Sequence, residues 1–306
     1  LMEKSEEFNH VIKMGRTQLQ DAVPIRLGQE FHAYATAIRR DINRFDRAKE
    51  EMRHLNLGGT AIGTGLNADV KYLQRVVKNI SLISGLELIQ AYDLIDATQN
   101  LDGYVACSGI AKYCAVNLSK MCNDLRLMSS GPRTGLGEIN LPAKQNGSSI
   151  MPGKVNPVIP EVVNQVAFHV IGNDMTVAMA AEAGQLELNA FEPIIFYKLF
   201  QSVETIACAV HTLVDNCISG ITANEQHCKD MVENSVGIIT AICPYVGYEK
   251  AANVAKEAIR TGKSVRELVI RDKLLTKEQL DIILNPVSMT EPGISGIEAM
   301  NKMGGL

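Results

Sequence analysis

The sequence lacks the patterns that mark metal-binding, secreted and nucleic-acid-binding proteins. Its seven cysteines are odd in number and form no C-x-x-C pair, and none of its six histidines forms an H-x-x-x-H pair. A zinc site or a disulfide framework is therefore not indicated, and a reducing cytoplasm is the expected compartment. The net charge is −4 and there is no long basic run, so nucleic acid is not the expected partner.

Long uninterrupted apolar runs and strand-like alternation are also missing. Charged or polar residues interrupt the most apolar stretch, 194–218, at Lys198, Glu204, His211 and Asp215, so it is not expected to span a membrane. No segment alternates apolar and polar residues convincingly, which predicts an all-α fold. Apolar residues make up 46% of the chain and charged residues 21%, which is the balance of an ordinary soluble globular protein.

Helical periodicity predicts a bundle of long helices followed by shorter ones. The long helices are expected over about 27–55, 69–84, 102–128, 157–189 and 193–219. The last two are apolar nearly all round, as in the middle of a bundle or beneath another subunit. Shorter charged helices follow, with capping-box patterns at 222–225 and 276–279. We therefore predict a central helical-bundle domain over 1–221 and a small C-terminal helical domain over 222–306.

Two glycine-containing stretches are predicted to be loops. Residues 15–24 are bracketed by Gly15 and Pro24, which predicts a polar loop or a connector between helices. Residues 57–67 contain the G-x-x-x-x-G spacing, but Thr64 stands where a phosphate-binding loop requires Lys, and no strand precedes the stretch. We therefore reject nucleotide binding there in favour of a tight loop near a substrate site.

The most informative stretch is 147–157, which reads GSSIMPGKVNP. Its two prolines and two glycines exclude a helix or a strand, so it is predicted to be a loop. Its lysine, asparagine and serines are donors suited to a carboxylate, and its glycines let backbone N–H groups approach a ligand closely. The apolar run after Val158 predicts a buried helix, which would give a mobile active-site loop a rigid support.

This loop is also a family signature. It matches GSSxxPxKxN, the signature of the aspartase/fumarase superfamily, at every fixed position. Further stretches that resemble the same superfamily are 15–24, 57–67, 127–142 and 164–174. The resemblance covers nearly the whole chain. It implies the long-helix fold of that superfamily and a homotetramer built on a central helical bundle, with active sites composed of residues from different chains.

Within the superfamily the chain resembles the aspartases, which are aspartate ammonia-lyases, more than the fumarases. Residues 158–166 and 180–189 favour the aspartases. Gln18 follows Thr17, where fumarases usually carry histidine and some aspartases carry glutamine. The implied reaction is reversible deamination of L-aspartate to fumarate and ammonia. A fumarase or another fumarate-releasing lyase is the alternative, and a non-catalytic structural protein on this scaffold is the alternative of a different class.

The resemblance assigns roles to residues in two of these stretches. Ser148 would be the base that removes the Cβ proton of the substrate. Ser149 would donate a hydrogen bond to the enediolate that forms on the β-carboxylate. Lys154 and Asn156 would hold the α-carboxylate, with Thr17 beside them. These side chains together would form the catalytic and substrate-binding groups of the site.

Two further residues belong to the predicted site. Gln18 would contact the amino group, which a neutral amide can orient without carrying charge. Glu161 corresponds to the acid that pairs with the histidine of fumarases, so it would either pair with Gln18 or act as a structural cap of the following helix. The resemblance implies no metal ligand and no required cofactor, and it leaves activation by a divalent cation open.

The superfamily has an N-terminal domain before the stretch that corresponds to 15–24, and this chain begins without it. That domain carries residues that bind the β-carboxylate and the amine. The chain is therefore expected to be a fragment or to have lost the domain. Taken alone, it is expected to be inactive as an aspartase, because the donors to the developing enediolate would be too few.

Overall fold

The structure, a computed structural model, describes residues 1–145, 151 and 153–303. This part of the chain is mostly helical, as predicted. Helices α1 to α13 span Met2–Glu7, Leu27–Glu51, Val70–Ser84, Asp96–Gln99, Asp102–Met128, Val158–Glu182, Glu192–Asn216, Glu225–Asn234, Ile239–Val246, Tyr248–Thr261, Val265–Arg271, Lys277–Ile283 and Ile297–Lys302. Strands β1 to β6 span Ile12–Thr17, Gln20–Arg26, His54–Leu55, Ile89–Gln90, Ile139–Asn140 and Thr222–Ala223.

The stretch 15–24 is part of a β-hairpin, so the prediction of a loop between helices is wrong there. β1 and β2 pair antiparallel, and the register shifts at Gly15. A Cβ at Gly15 would lie 2.6 Å from the carbonyl oxygen of Val23, so a larger residue does not fit there. A search for alternating apolar and polar residues does not find the hairpin, because Gly15 and Pro24 interrupt its two strands.

The long helices agree with the predicted segments. α5 begins and ends where the sequence predicts, whereas α6 and α7 end a few residues early. Local signals set the ends of α3. The Asp69 side chain accepts a hydrogen bond from the Lys71 N–H at its start, and Gly85 takes the left-handed conformation at its end.

One of the two predicted capping boxes is present. The Thr276 side chain accepts from the Gln279 N–H, and the Gln279 side chain accepts from the Thr276 N–H. The box predicted at 222–225 is wrong. Thr222 lies in β6, where it pairs with Asn140 of β5, and α8 begins only at Glu225. Thr222 therefore pairs with a neighbouring strand and does not cap the helix.

The chain divides into two compact units, and the first comprises 1–35, 127–141 and 221–306. Its core brings Met14 of β1 together with Ile242 of α9 and Leu280 of α12, each 1% exposed or less. The first unit therefore differs from the expected C-terminal domain, 222–306, in that it also includes 127–141 and 1–35, the segment that contains the β1–β2 hairpin. Met14 belongs to this core because β1 packs against the C-terminal helices.

The second unit comprises 36–126 and 142–220. α6 packs against α7, and Val177 and Ile195 are buried together with Leu101. α5 is tied to α6 through the Asp174 carboxylate, which accepts hydrogen bonds from Ser108 Oγ at 2.9 Å and Lys112 Nζ at 2.5 Å. The helical bundle predicted for this part of the chain is confirmed.

The second unit also carries an exposed apolar stripe on α6 and α7. Its residues, each at least 60% exposed, are Phe168, Met175, Met179, Tyr197 and Phe200. Their spacing of three, four or seven residues places them on one face of each helix. Among the described residues, Glu192–Gly220 is the one helical stretch long and apolar enough to cross a membrane, and 28% of its apolar window is buried.

The core of the first unit gives a matched test of burial. We expect Ile242→Ala to lower the free energy of unfolding by about 2–5 kcal/mol, because it leaves a cavity in a close-packed core. Ile259→Ala is the control, since Ile259 is 75% exposed, and it should change the free energy by less than about 0.5 kcal/mol. Urea unfolding of both variants measures the difference, and equal losses would contradict the packing described.

Candidate active site

The predicted base and its neighbour lie outside the described residues, so the roles of Ser148 and Ser149 stay predictions. Lys154 and Asn156 lie within the described part, just before α6. Lys154 is exposed, and its N–H donates to the Met151 carbonyl at 3.2 Å. Both residues therefore lie near the N-terminus of a long helix, where the helix dipole favours an anion. This placement suits a substrate carboxylate.

Glu161 lies in the first turn of α6 and forms an ion pair with Arg126 of α5. Arg126 Nη2 lies 3.6 Å from Glu161 Oε1, and the two side chains are 41% and 38% exposed. Arg126 Nη1 also donates to Asn164 Oδ1, one helical turn further along, at 3.4 Å. An acidic side chain in the first turn is itself favourable with the helix dipole. These contacts tie Glu161 to α5, and both its catalytic role and its role as a helix cap stay predictions.

Thr17 and Gln18 lie at the tip of the β1–β2 hairpin, in the first unit. Thr17 pairs with Gln20, and these two residues enclose a turn formed by Gln18 and Leu19. The turn residues have φ values of 53° and 63°, and positive φ at both positions matches the twist of a hairpin. Left-handed backbone costs a non-glycine residue about 1–2 kcal/mol. The tip is therefore strained, and its residues are exposed to solvent.

A buried ionic cluster lies below this turn. Arg16 Nη1 donates to Glu138 Oε1 at 2.7 Å, and Lys13 Nζ lies 3.1 Å from Glu138 Oε2. Lys13 also donates to Glu30 Oε1 at 2.9 Å. The Glu138 side chain is fully buried, and a buried charge is tolerated only with partners of opposite charge. The Glu138–Lys13 contact has the distance of an ion pair without hydrogen-bond geometry.

Cys228 lies beside this cluster and is fully buried. Burial, together with the charge of Glu138, raises the pKa of its thiol to about 12. The thiol therefore stays protonated at neutral pH, and a protonated thiol is a poor nucleophile. All seven cysteines lie in the described part of the chain, and each is a free thiol.

The sequence predictions did not single out Lys13, Arg16 or Glu138. Arg16 and Glu138 lie in stretches that carry the family resemblance, but they are 122 residues apart in the chain. Spacing rules act within one element or loop, so they do not reveal a pair at that separation. The sequence pattern that could have pointed to Glu138 is its position as an acidic residue between Gly137 and the apolar residue Ile139.

The structure brings Lys154, Asn156 and Glu161 together at the start of α6 in the second unit. It places Thr17 and Gln18 in the first unit. Among the described residues, no three His, Cys, Asp or Glu side chains are grouped as metal ligands would be.

A cavity of about 770 Å³ in the first unit does not coincide with either group of residues. It is lined by residues that precede or begin β1, including His10, whereas Thr17 ends that strand. His10 pairs with Glu225 in its wall, and Arg266 pairs with Asp281. Because the wall carries both acidic and basic side chains, the cavity indicates no ligand class.

Comparison with family profiles identifies two parts of the chain. The profile of the family described as Lyase matches residues 1–172, and the profile described as Fumarase C C-terminus matches residues 238–291. The first match covers more than half of the chain and includes both the hairpin tip and the loop before α6.

Curated relatives similar to this chain include the aspartate ammonia-lyases of Bacillus subtilis, Helicobacter pylori and Escherichia coli. The identities are 56% over 98% of this chain, 58% over 95% and 51% over 94%, respectively. The chain spans 63%, 62% and 60% of the length of these relatives.

Two solved structures share the fold. A fumarate lyase:delta crystallin from Brucella melitensis, bound to cobalt, matches with a TM-score of 0.91 and 52% identity, over 95% of this chain and 63% of that chain. A class II fumarase from Schistosoma mansoni matches with a TM-score of 0.90 and 33% identity, over 95% and 64%. By its profile, its relatives and its fold, the chain belongs to the lyase family, the aspartase/fumarase superfamily that its motifs predict.

Proposed function

We propose that this protein is an aspartate ammonia-lyase, a carbon–nitrogen lyase that converts L-aspartate reversibly to fumarate and ammonia. The observation that carries this proposal is the 56% identity over 98% of the chain to the aspartate ammonia-lyase of Bacillus subtilis. The class II fumarase of Schistosoma mansoni is 33% identical, which favours deamination over hydration. Gln18 supports the same choice, since fumarases usually carry histidine there.

The proposed reaction is an anti elimination that begins at Cβ. Ser148 removes a proton from Cβ, and the electron pair of that C–H bond moves onto the β-carboxylate as an enediolate. The enediolate then collapses, its electron pair forms the Cα–Cβ double bond of fumarate, and the C–N bond breaks so that ammonia leaves with the electron pair of that bond. The negative charge on the enediolate requires preorganised donors, among them Ser149, in a site that excludes water.

Lys154 and Asn156 bind the α-carboxylate in this proposal. Their position before α6 supports it, because the helix N-terminus adds a favourable dipole. Thr17 and Gln18 approach the substrate from the exposed hairpin tip, where Gln18 orients the amino group. Neither side chain is covered within this chain, which fits a site completed by further protein.

Replacement of Ser148 tests the function and the base together. We expect Ser148→Ala in the full-length enzyme to lower kcat for fumarate release from L-aspartate by about 10²–10⁴-fold, because general-base catalysis contributes that much. Binding of aspartate should persist, since the serine acts on the proton. Ser219→Ala, an exposed serine after α7, is the control and should keep wild-type kcat. A Ser148→Ala enzyme with near wild-type kcat would remove Ser148 from the role.

Replacement of Lys154 tests the binding of the α-carboxylate. We expect Lys154→Met to raise KM for L-aspartate at least about tenfold, because a hydrogen bond to a charged group contributes about 1.5–3 kcal/mol. Lys144→Met is the matched control, since Lys144 is also an exposed lysine of the segment before α6. An unchanged KM in Lys154→Met would mean that Lys154 is merely solvated.

We also propose that the protein is a homotetramer whose subunits meet along the apolar stripe of α6 and α7. Large exposed apolar patches usually mark interfaces between proteins, and the stripe places five large apolar side chains on the surface of α6 and α7. The charges of Lys198 and Glu204 on α7 favour a protein partner over a lipid one, because charges within a bilayer are costly. In such an assembly, one active site combines the Thr17–Gln18 turn and the Ser148 loop from different chains.

A charge placed in the stripe tests the assembly. Light scattering should give a tetramer for the wild-type protein, and Phe200→Asp should yield smaller species, because a buried unpaired carboxylate is costly. Tyr248→Asp is the control, since Tyr248 is 80% exposed on α10, outside the stripe. A wild-type protein that is a stable monomer would contradict the proposal.

We further propose that the reaction requires no cofactor and takes place in the cytoplasm. The chemistry needs a base and hydrogen-bond donors, which the protein side chains provide. Activation by a divalent cation is a separate question, which assays with EDTA and with added Mg²⁺ would answer.

A further inference from the structure

We propose that Glu138 is a positioning residue of the active site: through Arg16 it holds the Thr17–Gln18 turn where the substrate is bound. This inference rests on the proposed function, because that function identifies the substrate that Thr17 and Gln18 bind. Glu138 does not touch the substrate in this proposal, since it acts through Arg16 on the two residues of the turn.

Arg16 is the link between the buried carboxylate and the turn. It immediately precedes Thr17 in β1, and its Nη1 donates both to Glu138 Oε1 at 2.7 Å and to the Met14 carbonyl at 3.2 Å. Its Nη2 lies 3.7 Å from Met231 Sδ of α8. The planar guanidinium is thus fixed at both nitrogens, which restricts the backbone that leads into the turn.

Glu138 is itself held rigidly enough to serve as an anchor. Its N–H donates to the Met128 carbonyl at 2.8 Å, and its carbonyl accepts from the Asn224 N–H at 2.9 Å. Its side chain is fully buried, and Lys13 lies 3.1 Å from the second carboxylate oxygen. The carboxylate therefore has no room to follow Arg16 if the hairpin moves.

The turn needs such an anchor because it is strained. Gln18 and Leu19 both have positive φ, and such residues persist only where the surroundings enforce the conformation. On the far strand, Ser235 Oγ donates to Asp21 Oδ2 at 2.7 Å. Asp21 is also the register partner of Arg16, so each strand is held to the first unit directly below the turn.

The experiment compares four variants of the full-length protein with the wild type: Glu138→Gln, Arg16→Gln, the double variant of these two, and Glu291→Gln. The last is the matched control, because Glu291 pairs with Arg26 at the other end of the hairpin, at 4.0 Å, and is 55% exposed. Each protein is assayed for kcat and KM with L-aspartate. Amide hydrogen exchange is measured over residues 16–21 and, for comparison, over α10.

We expect Glu138→Gln and Arg16→Gln each to raise KM at least about fivefold, with a smaller fall in kcat, because Thr17 and Gln18 bind substrate. The double variant should be no worse than the poorer single variant, because both changes break one contact. Exchange should accelerate over 16–21 and not over α10, and Glu291→Gln should match the wild type. Unchanged KM in both single variants, or effects that multiply in the double variant, would overturn the proposal.

A variant that does not fold, or a wild-type protein without activity, requires a further variant or measurement. If Glu138→Gln does not fold, Arg16→Lys replaces it, because a lysine keeps the charge but loses the two-nitrogen contact, and it should raise KM in the same direction by less. If the wild-type protein releases no fumarate from L-aspartate, the proposed function fails, and the substrate-positioning role fails with it. Exchange over 16–21 then decides separately whether Glu138 holds the turn: unchanged exchange in Glu138→Gln overturns that as well.

Discussion

The buried carboxylate of Glu138 is the contact on which the first unit depends. It joins the segment 127–141 to the β1–β2 hairpin through Arg16 and Lys13. Removal of one partner from a buried ion pair costs about 3–5 kcal/mol, and a whole domain is stable by only about 5–15 kcal/mol. Loss of either partner would therefore remove a large part of the stability of the first unit, because it would leave a buried charge unpaired.

The second unit is organised by a different constraint. Helix α6 buries polar as well as apolar residues against its neighbours, and it leaves other apolar residues exposed. Asp174 accepts from Ser108 and Lys112 of α5, and Asn173 donates to Ser202 of α7 at 3.1 Å. Directional contacts of this kind fix how the helices are aligned along their lengths. The apolar stripe, by contrast, is non-directional and suited to burial against further protein.

The residues of the predicted site are divided between these two arrangements. Thr17 and Gln18 are held at a strained tip by the ionic cluster of the first unit, whereas Lys154 and Asn156 precede the N-terminus of α6 in the second. Each group has what its proposed role needs. The tip has a fixed backbone that can orient an amine, and the helix N-terminus has a positive end that can attract a carboxylate.

The sequence by itself determined the long helices, the ends of α3 and the family. These follow from local information: apolar periodicity, the caps at Asp69 and Gly85, and a loop signature with fixed positions. Only the tertiary structure decided that 15–24 is a hairpin, that Thr222 joins a strand and does not cap a helix, and that Arg16 meets Glu138. Those outcomes depend on partners distant in the chain, and residue spacing within a segment carries no information about such partners.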